Sequence, residues 1–197
     1  MPRRISQARL EEPQPRTDGL FFAVIPSPQS AAQIERRAQD FRGEFGLKGE
    51  PLATEHFHVT LYYLGAHSGV PRGIVAKASE TAASIKMAPF DISFDRAKSF
   101  TGKGGTRPFI LSSSKGLTEL MALQQSLRAA LRKAGLDNWP QPAFTPHVTL
   151  LYDSIRVPEQ PIEPVSWTVR EFTLMRSLLG MGRYETLGRW PLQDLTG

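Results

Sequence analysis

Glu55-His56-Phe57-His58-Val59-Thr60-Leu61-Tyr62-Tyr63-Leu64-Gly65 and Phe144-Thr145-Pro146-His147-Val148-Thr149-Leu150-Leu151-Tyr152 carry the same four residues, His-Val-Thr-Leu. In a β-strand successive side chains point to opposite faces, so His58 and Thr60 share one face while Phe57, Val59 and Leu61 share the other. His147 and Thr149 are related in the same way, with Val148 and Leu150 behind them. An imidazole and a hydroxyl about 6–7 Å apart on an apolar-backed strand form a presented site. Two such strands in one chain suggest a facing pair.

The surroundings of the two copies also match. Phe21 precedes His58 by 37 residues and Phe109 precedes His147 by 38. Each interval runs from a buried strand (Leu20–Ile25; Phe109–Leu111) through an amphipathic helix and a loop to the His-x-Thr strand. In the first helix Ser27 is the N-cap, Pro28 the first helical residue, Ala31, Ile34, Ala38 and Phe41 the apolar face, and Gly43 the stop. The second helix, 116–134, presents Leu120, Leu123, Leu127 and Leu131, carries Arg132 and Lys133 in its last turn and ends at Gly135. A duplicated strand-helix-strand unit predicts two lobes about an approximate two-fold axis.

The other segments fill in an α+β protein. A helix is expected over 73–86 from Ile74, Ala78, Ala82 and Ile85. Phe90, Ile92 and Phe94 alternate as a half-wet strand, as do Val165, Trp167 and Val169. The first motif strand is expected over 56–64 with a stop at Gly65, and 101–108 reads as a loop. Gly180-Met181-Gly182 joins two late strands as a hairpin. Residues 1–18, with Arg3, Arg4, Arg9, Arg16 and three prolines, read as a flexible basic tail, leaving 19–197 as one domain. A single domain of this size, 40% hydrophobic, can bury a substantial core.

Composition excludes several chemistries. With no cysteine there is no disulfide frame, thiol nucleophile or thiolate metal site. No apolar run reaches the roughly 18 residues of a membrane span, and no secretory signal opens the chain, so a cytoplasmic protein is expected. The net charge of +5 leans mildly toward polyanionic partners. No G-x-S-x-G elbow supports a serine hydrolase. A metal held by His56, His58 and His147 is disfavoured, because the second copy does not repeat His56 and neither strand offers a carboxylate on the histidine face. His67 is read as a loop residue. What remains is acid–base chemistry. Imidazole titrates near neutrality and can act as either partner, and threonine hydroxyls can donate hydrogen bonds to phosphate oxygens.

The paired motifs, together with Leu20-Phe21-Phe22-Ala23 and the closing Tyr184-Glu185 and Leu187-Gly188-Arg189-Trp190-Pro191-Leu192, resemble the 2H phosphoesterase superfamily. The chain is similar to its bacterial 2′-5′ RNA ligase and RNA 2′,3′-cyclic phosphodiesterase branch. The resemblance implies a bilobal fold of two largely antiparallel sheets, flanked by helices, around a central cleft with one motif from each lobe. It implies hydrolysis of 2′,3′-cyclic phosphates on RNA ends or small nucleotides to 2′-phosphomonoesters, with weak 2′-5′ RNA ligation in some members. Catalytic residues would be His58, protonating the departing 3′ oxygen, and His147, activating water, the two roles being exchangeable; Thr60 and Thr149 would bind the phosphate. No metal or other cofactor is expected, and the chain is expected to be a monomer. Many relatives carry an arginine just after the second motif, where this chain has Leu151-Tyr152-Asp153; Lys103 or Arg107 are the candidates to replace it. Two other readings stand beside this one: a non-catalytic RNA-end binding module, and a phosphodiesterase for an ADP-ribose-like cyclic metabolite.

Overall fold

A computed structural model of the chain describes residues 17–100, 105–178 and 182–193. The elements are β1 (Thr17–Val24), α1 (Pro28–Glu44), a 3₁₀ turn (Thr54–His56), β2 (Val59–Ser68), α2 (Arg72–Ala83), β3 (Phe90–Ser99), β4 (Arg107–Ser112), α3 (Thr118–Lys133), β5 (Val148–Asp153), β6 (Gln160–Val169), β7 (Glu171–Leu178) and β8 (Arg183–Pro191). They build two four-stranded sheets, ordered β2-β1-β7-β8 and β5-β4-β3-β6, and every pairing in them is antiparallel. Each motif strand lies at the edge of its sheet and pairs with the strand that opens its own repeat, β2 with β1 and β5 with β4.

The helices cross over between the sheets. α1 leaves β1 but packs on β5 and β6 of the other sheet, and α3 leaves β4 to pack on β2 of the other sheet as well as on β3 of its own. Leu20, Phe22 and Val24 of β1 therefore share one continuous core with Phe109 and Leu111 of β4 and with Ile34, Leu123 and Leu127 of the helices. Burying side chains of this size contributes about 1.5–3 kcal/mol each, so the two lobes are joined through their common interior. No helix among the described residues is long and apolar enough to cross a membrane.

α1 starts as its sequence predicts: the Ser27 side chain accepts a hydrogen bond from the Ser30 N–H and proline follows at once. Its end differs. Gly43 lies inside the helix, and the stop is Gly46, at φ 63°. There the Leu47 N–H bonds back to the Arg42 carbonyl and Leu47 is buried, the usual way a left-handed glycine closes a helix. α3 ends identically at Gly135, with the Leu136 N–H on the Leu131 carbonyl.

Three further boundaries move. β2 does not stop at Gly65 but bends there, at φ 96°, and runs on to Ser68. Arg107 and Pro108 belong to β4 rather than to a loop; Lys103 lies outside the described residues. Thr17 and Asp18, assigned to the tail, begin β1, and Asp18 is only 2% exposed, accepting two hydrogen bonds from the Arg176 guanidinium. Residues 1–16 lie outside the described residues.

Candidate active site

β2 begins at Val59 rather than at 56, so each histidine stands one residue ahead of its strand; the residues behind the histidine face enter the core, Phe57, Val59 and Leu61 in one copy and Val148 and Leu150 in the other. His58, Thr60, His147 and Thr149 stand on the opposite faces, each half-buried. Register shifts follow in both copies: Ala23 and Phe22 pair with Thr60 and Tyr62, passing over Leu61, while Ile110 and Phe109 pair with Thr149 and Leu151, passing over Leu150. Such a bulge resets the alternation, so two consecutive residues face the core and the next returns to the outer face. That next residue is Tyr63 in one copy and Tyr152 in the other, 37% and 54% exposed. The motif is thus His-x-Thr-x-x-Tyr on both sides, a repetition that plain alternation had hidden.

The two imidazoles are held alike. His58 Nδ1–H donates to the His56 carbonyl at 2.7 Å, and His147 Nδ1–H donates to the Thr145 carbonyl at 2.7 Å. A carbonyl only accepts, so in each ring Nδ1 carries the proton and Nε2 is left to react. Aromatic side chains fix the ring planes. His58 lies 5.0 Å from Phe21 and 5.5 Å, edge-on, from Tyr184, and His147 lies 4.7 Å from Phe100. The hydroxyls of Thr60 and Thr149 have no protein partner among the described residues.

Burial pushes both imidazoles below their ordinary value. For His58 the charge of His147 adds to the effect, with a smaller contribution from His56, and the bond to the His56 carbonyl opposes it. For His147 burial is opposed by the bond to Thr145. The pair accepts one proton more readily than two. Tyr184, on the floor beside His58, has its phenol raised first by burial and then by the charge of Tyr152 on β5. Phe21, Ala23 and Met175 form the rest of that floor.

Each motif is anchored by the lead-in of the other. The segment before His58 lies along β5: the Lys48 and Gly49 N–H groups donate to Asp153, and the Leu52 N–H to the Leu150 carbonyl. The segment before His147 lies along β2: Tyr62 donates to Asp137, and the Gln141 amide bonds the Tyr63 backbone at both its N–H and its carbonyl. Trp139 closes over Gly65, where a Cβ would lie 2.1 Å from its indole nitrogen. These contacts cover both motif-strand edges.

Arg107 starts from the face of β4 away from Thr149, with its Nε buried and without a partner among the described residues. Ile110 is the β4 residue opposite Thr149, so Arg107, an odd number of residues away, lies on the core-side face with Phe109 and Leu111. His56 contributes its carbonyl, while its ring packs on Tyr184 at 4.9 Å. Among the described residues no three His, Asp or Glu side chains converge as a metal site.

The sequence profile of the 2′-5′ RNA ligase superfamily matches residues 26–180, most of the chain. The chain belongs to the 2′-5′ RNA ligase superfamily. Within it, this member is 31% identical to the RNA 2′,3′-cyclic phosphodiesterase of Escherichia coli K12, over 93% of this chain and 99% of that protein. Its fold is that of E. coli LigT, at a TM-score of 0.70 and 29% identity to the apo crystal structure, covering 91% of this chain and 99% of LigT. LigT complexed with 3′-AMP matches equally, at a TM-score of 0.70 and 27% identity over 90% and 99% of the two chains. As a superfamily member with the 2H phosphoesterase fold, the chain is an enzyme of the cyclic phosphodiesterase type.

Proposed function

We propose that the chain hydrolyses 2′,3′-cyclic phosphodiesters, on RNA ends or small nucleotides, to 2′-phosphomonoesters, using His58 and His147 and no metal ion. What carries this reading is the mirrored pair of imidazoles, each with Nδ1–H tied to a carbonyl and Nε2 left to exchange a proton. Displacement at phosphorus needs one acid and one base on opposite sides of the phosphorus, which two such rings supply. His147 Nε2 takes a proton from water as its oxygen bonds to phosphorus. The bond from phosphorus to the 3′ oxygen breaks, and His58 gives that oxygen its proton. The free hydroxyls of Thr60 and Thr149 donate to the non-bridging oxygens, where negative charge concentrates. With the 5′ hydroxyl of a second strand in place of water, the same displacement breaks the bond to the 3′ oxygen and leaves a 2′-5′ phosphodiester, the basis of a weak 2′-5′ ligase activity. The 3′-AMP complex of LigT supports a nucleotide as ligand.

The test is turnover of 2′,3′-cyclic nucleotides in EDTA. His58→Ala and His147→Ala should each lose about 10²–10⁴-fold in kcat. A substrate with sulfur in place of the 3′ oxygen, whose thiolate departs without a proton, should restore the acid variant, His58→Ala, far more than His147→Ala. Near-native turnover in either variant, or loss of wild-type activity in EDTA, overturns the reading.

A further inference from the structure

α3 carries one residue its core-facing stripe does not explain. Leu120, Leu123, Leu127 and Leu131 are fully buried, and Gln124 stands among them, 7% exposed. Its amide makes no hydrogen bond to another described residue and is not sealed from solvent. Gln124 lines a groove of about 740 Å³ between α3 and the loop that leads into the second motif, where its amide is free to meet a ligand. Arg128, Arg132 and Lys133 line the same groove, together with Met121 and Phe144, and no carboxylate does. None of the three cations is in an ion pair among the described residues. Arg128 and Arg132 lie one helical turn apart, a rise of about 6 Å. Phe144 is three residues ahead of His147, so the groove begins within about 10 Å of that histidine.

We propose that this groove binds the single-stranded nucleotides immediately upstream of a cyclic-phosphate RNA end. Arg128, Arg132 and Lys133 take successive backbone phosphates, Phe144 stacks on a base, and the Gln124 amide, at once donor and acceptor, meets a base edge or a ribose hydroxyl. The inference rests on the phosphodiesterase reading and names its substrate class: an RNA end in preference to a free cyclic nucleotide.

The experiment compares a six-nucleotide RNA ending in a 2′,3′-cyclic phosphate with a 2′,3′-cyclic mononucleotide. The double variant Arg128→Ala/Arg132→Ala should lose about tenfold in kcat/KM on the oligonucleotide while turning over the mononucleotide within about twofold of wild type. Its salt slope for oligonucleotide binding should be shallower by about 1.4, at about 0.7 per phosphate contact released. Gln124→Leu should weaken oligonucleotide binding without lowering Tm. The proposal is overturned if the double variant keeps oligonucleotide kinetics and salt slope, or if the wild type does not prefer the oligonucleotide. Binding is also read by anisotropy with a 3′-phosphorylated hexamer that is not turned over. A failure of the cyclic phosphodiesterase reading would leave that binding measurement intact.

Discussion

Replacing Asp153 by asparagine tests how the two motif strands are held in place. Asp153 is 3% exposed; its Oδ2 accepts from the Lys48 N–H at 2.5 Å and the Gly49 N–H at 2.7 Å, and its Oδ1 from the Ile155 N–H at 2.8 Å. Hydrogen bonds to a charged acceptor contribute about 1.5–3 kcal/mol each. Asparagine keeps a single acceptor oxygen, and in either orientation its NH₂ faces a backbone donor, so one or two of these bonds are lost. The expected loss at neutral pH is about 3–5 kcal/mol. The sign of the pH dependence follows from the carboxyl, which the N–H groups of Ile155, Gly49 and Lys48 hold below its ordinary value. A folded-state pKa below the unfolded one means that the stabilisation is complete above the unfolded value and disappears as pH falls through the folded one. Urea unfolding of wild type and Asp153→Asn should therefore differ widely at pH 7 and converge in acid. A gap at neutral pH below about 1 kcal/mol, or one that persists after the carboxyl is protonated, would refute the reasoning.

Two further expectations follow from the site. Because burial depresses both histidines, most clearly His58 with His147's charge against it, the acid form of the pair is lost early as pH rises. The alkaline limb of kcat/KM should lie below the ordinary imidazole value of 6.5, and a limb above it would contradict the burial seen here. Gly65→Ala combines a φ of 96° with a Cβ driven into Trp139 and should cost about 3 kcal/mol or more. The control, Gly69→Ala, has φ 78° and open space and should cost only about 1 kcal/mol of backbone strain, as guanidinium melts would show.

The chemistry of this fold was legible because it was written twice. A core needs no repeated imidazole and hydroxyl on its outer face, so His58, Thr60, His147 and Thr149 stood out from the alternation alone. Tyr63 and Tyr152 did not, since strict alternation puts both on the wrong face. The signal was the pair of adjacent bulky residues after each threonine, Leu61-Tyr62 and Leu150-Leu151, which a regular half-buried strand cannot accommodate. The phase of the repeat also decides between Gly43 and Gly46: Gly135 stands 12 residues before His147, and so does Gly46 before His58. Asp18 was unreadable for a different reason. Its partner, Arg176, is 158 residues away, and a buried carboxylate looks like any tail acid until that partner is known. Gln124 fell in a helix pattern where one polar residue changes nothing, and only its place on the wall of the basic groove marks it.

The exchanged lead-ins and crossed helices bear on how much of the chain is needed for a working centre. One repeat alone, strand, helix and motif strand, would have no opposite sheet to receive its helix and no second motif strand to anchor the segment before its histidine. Expressed by itself, either half would lack both an interior and a reaction centre. Two halves brought face to face would supply each other with both, so the smallest autonomous unit of this architecture is the pair.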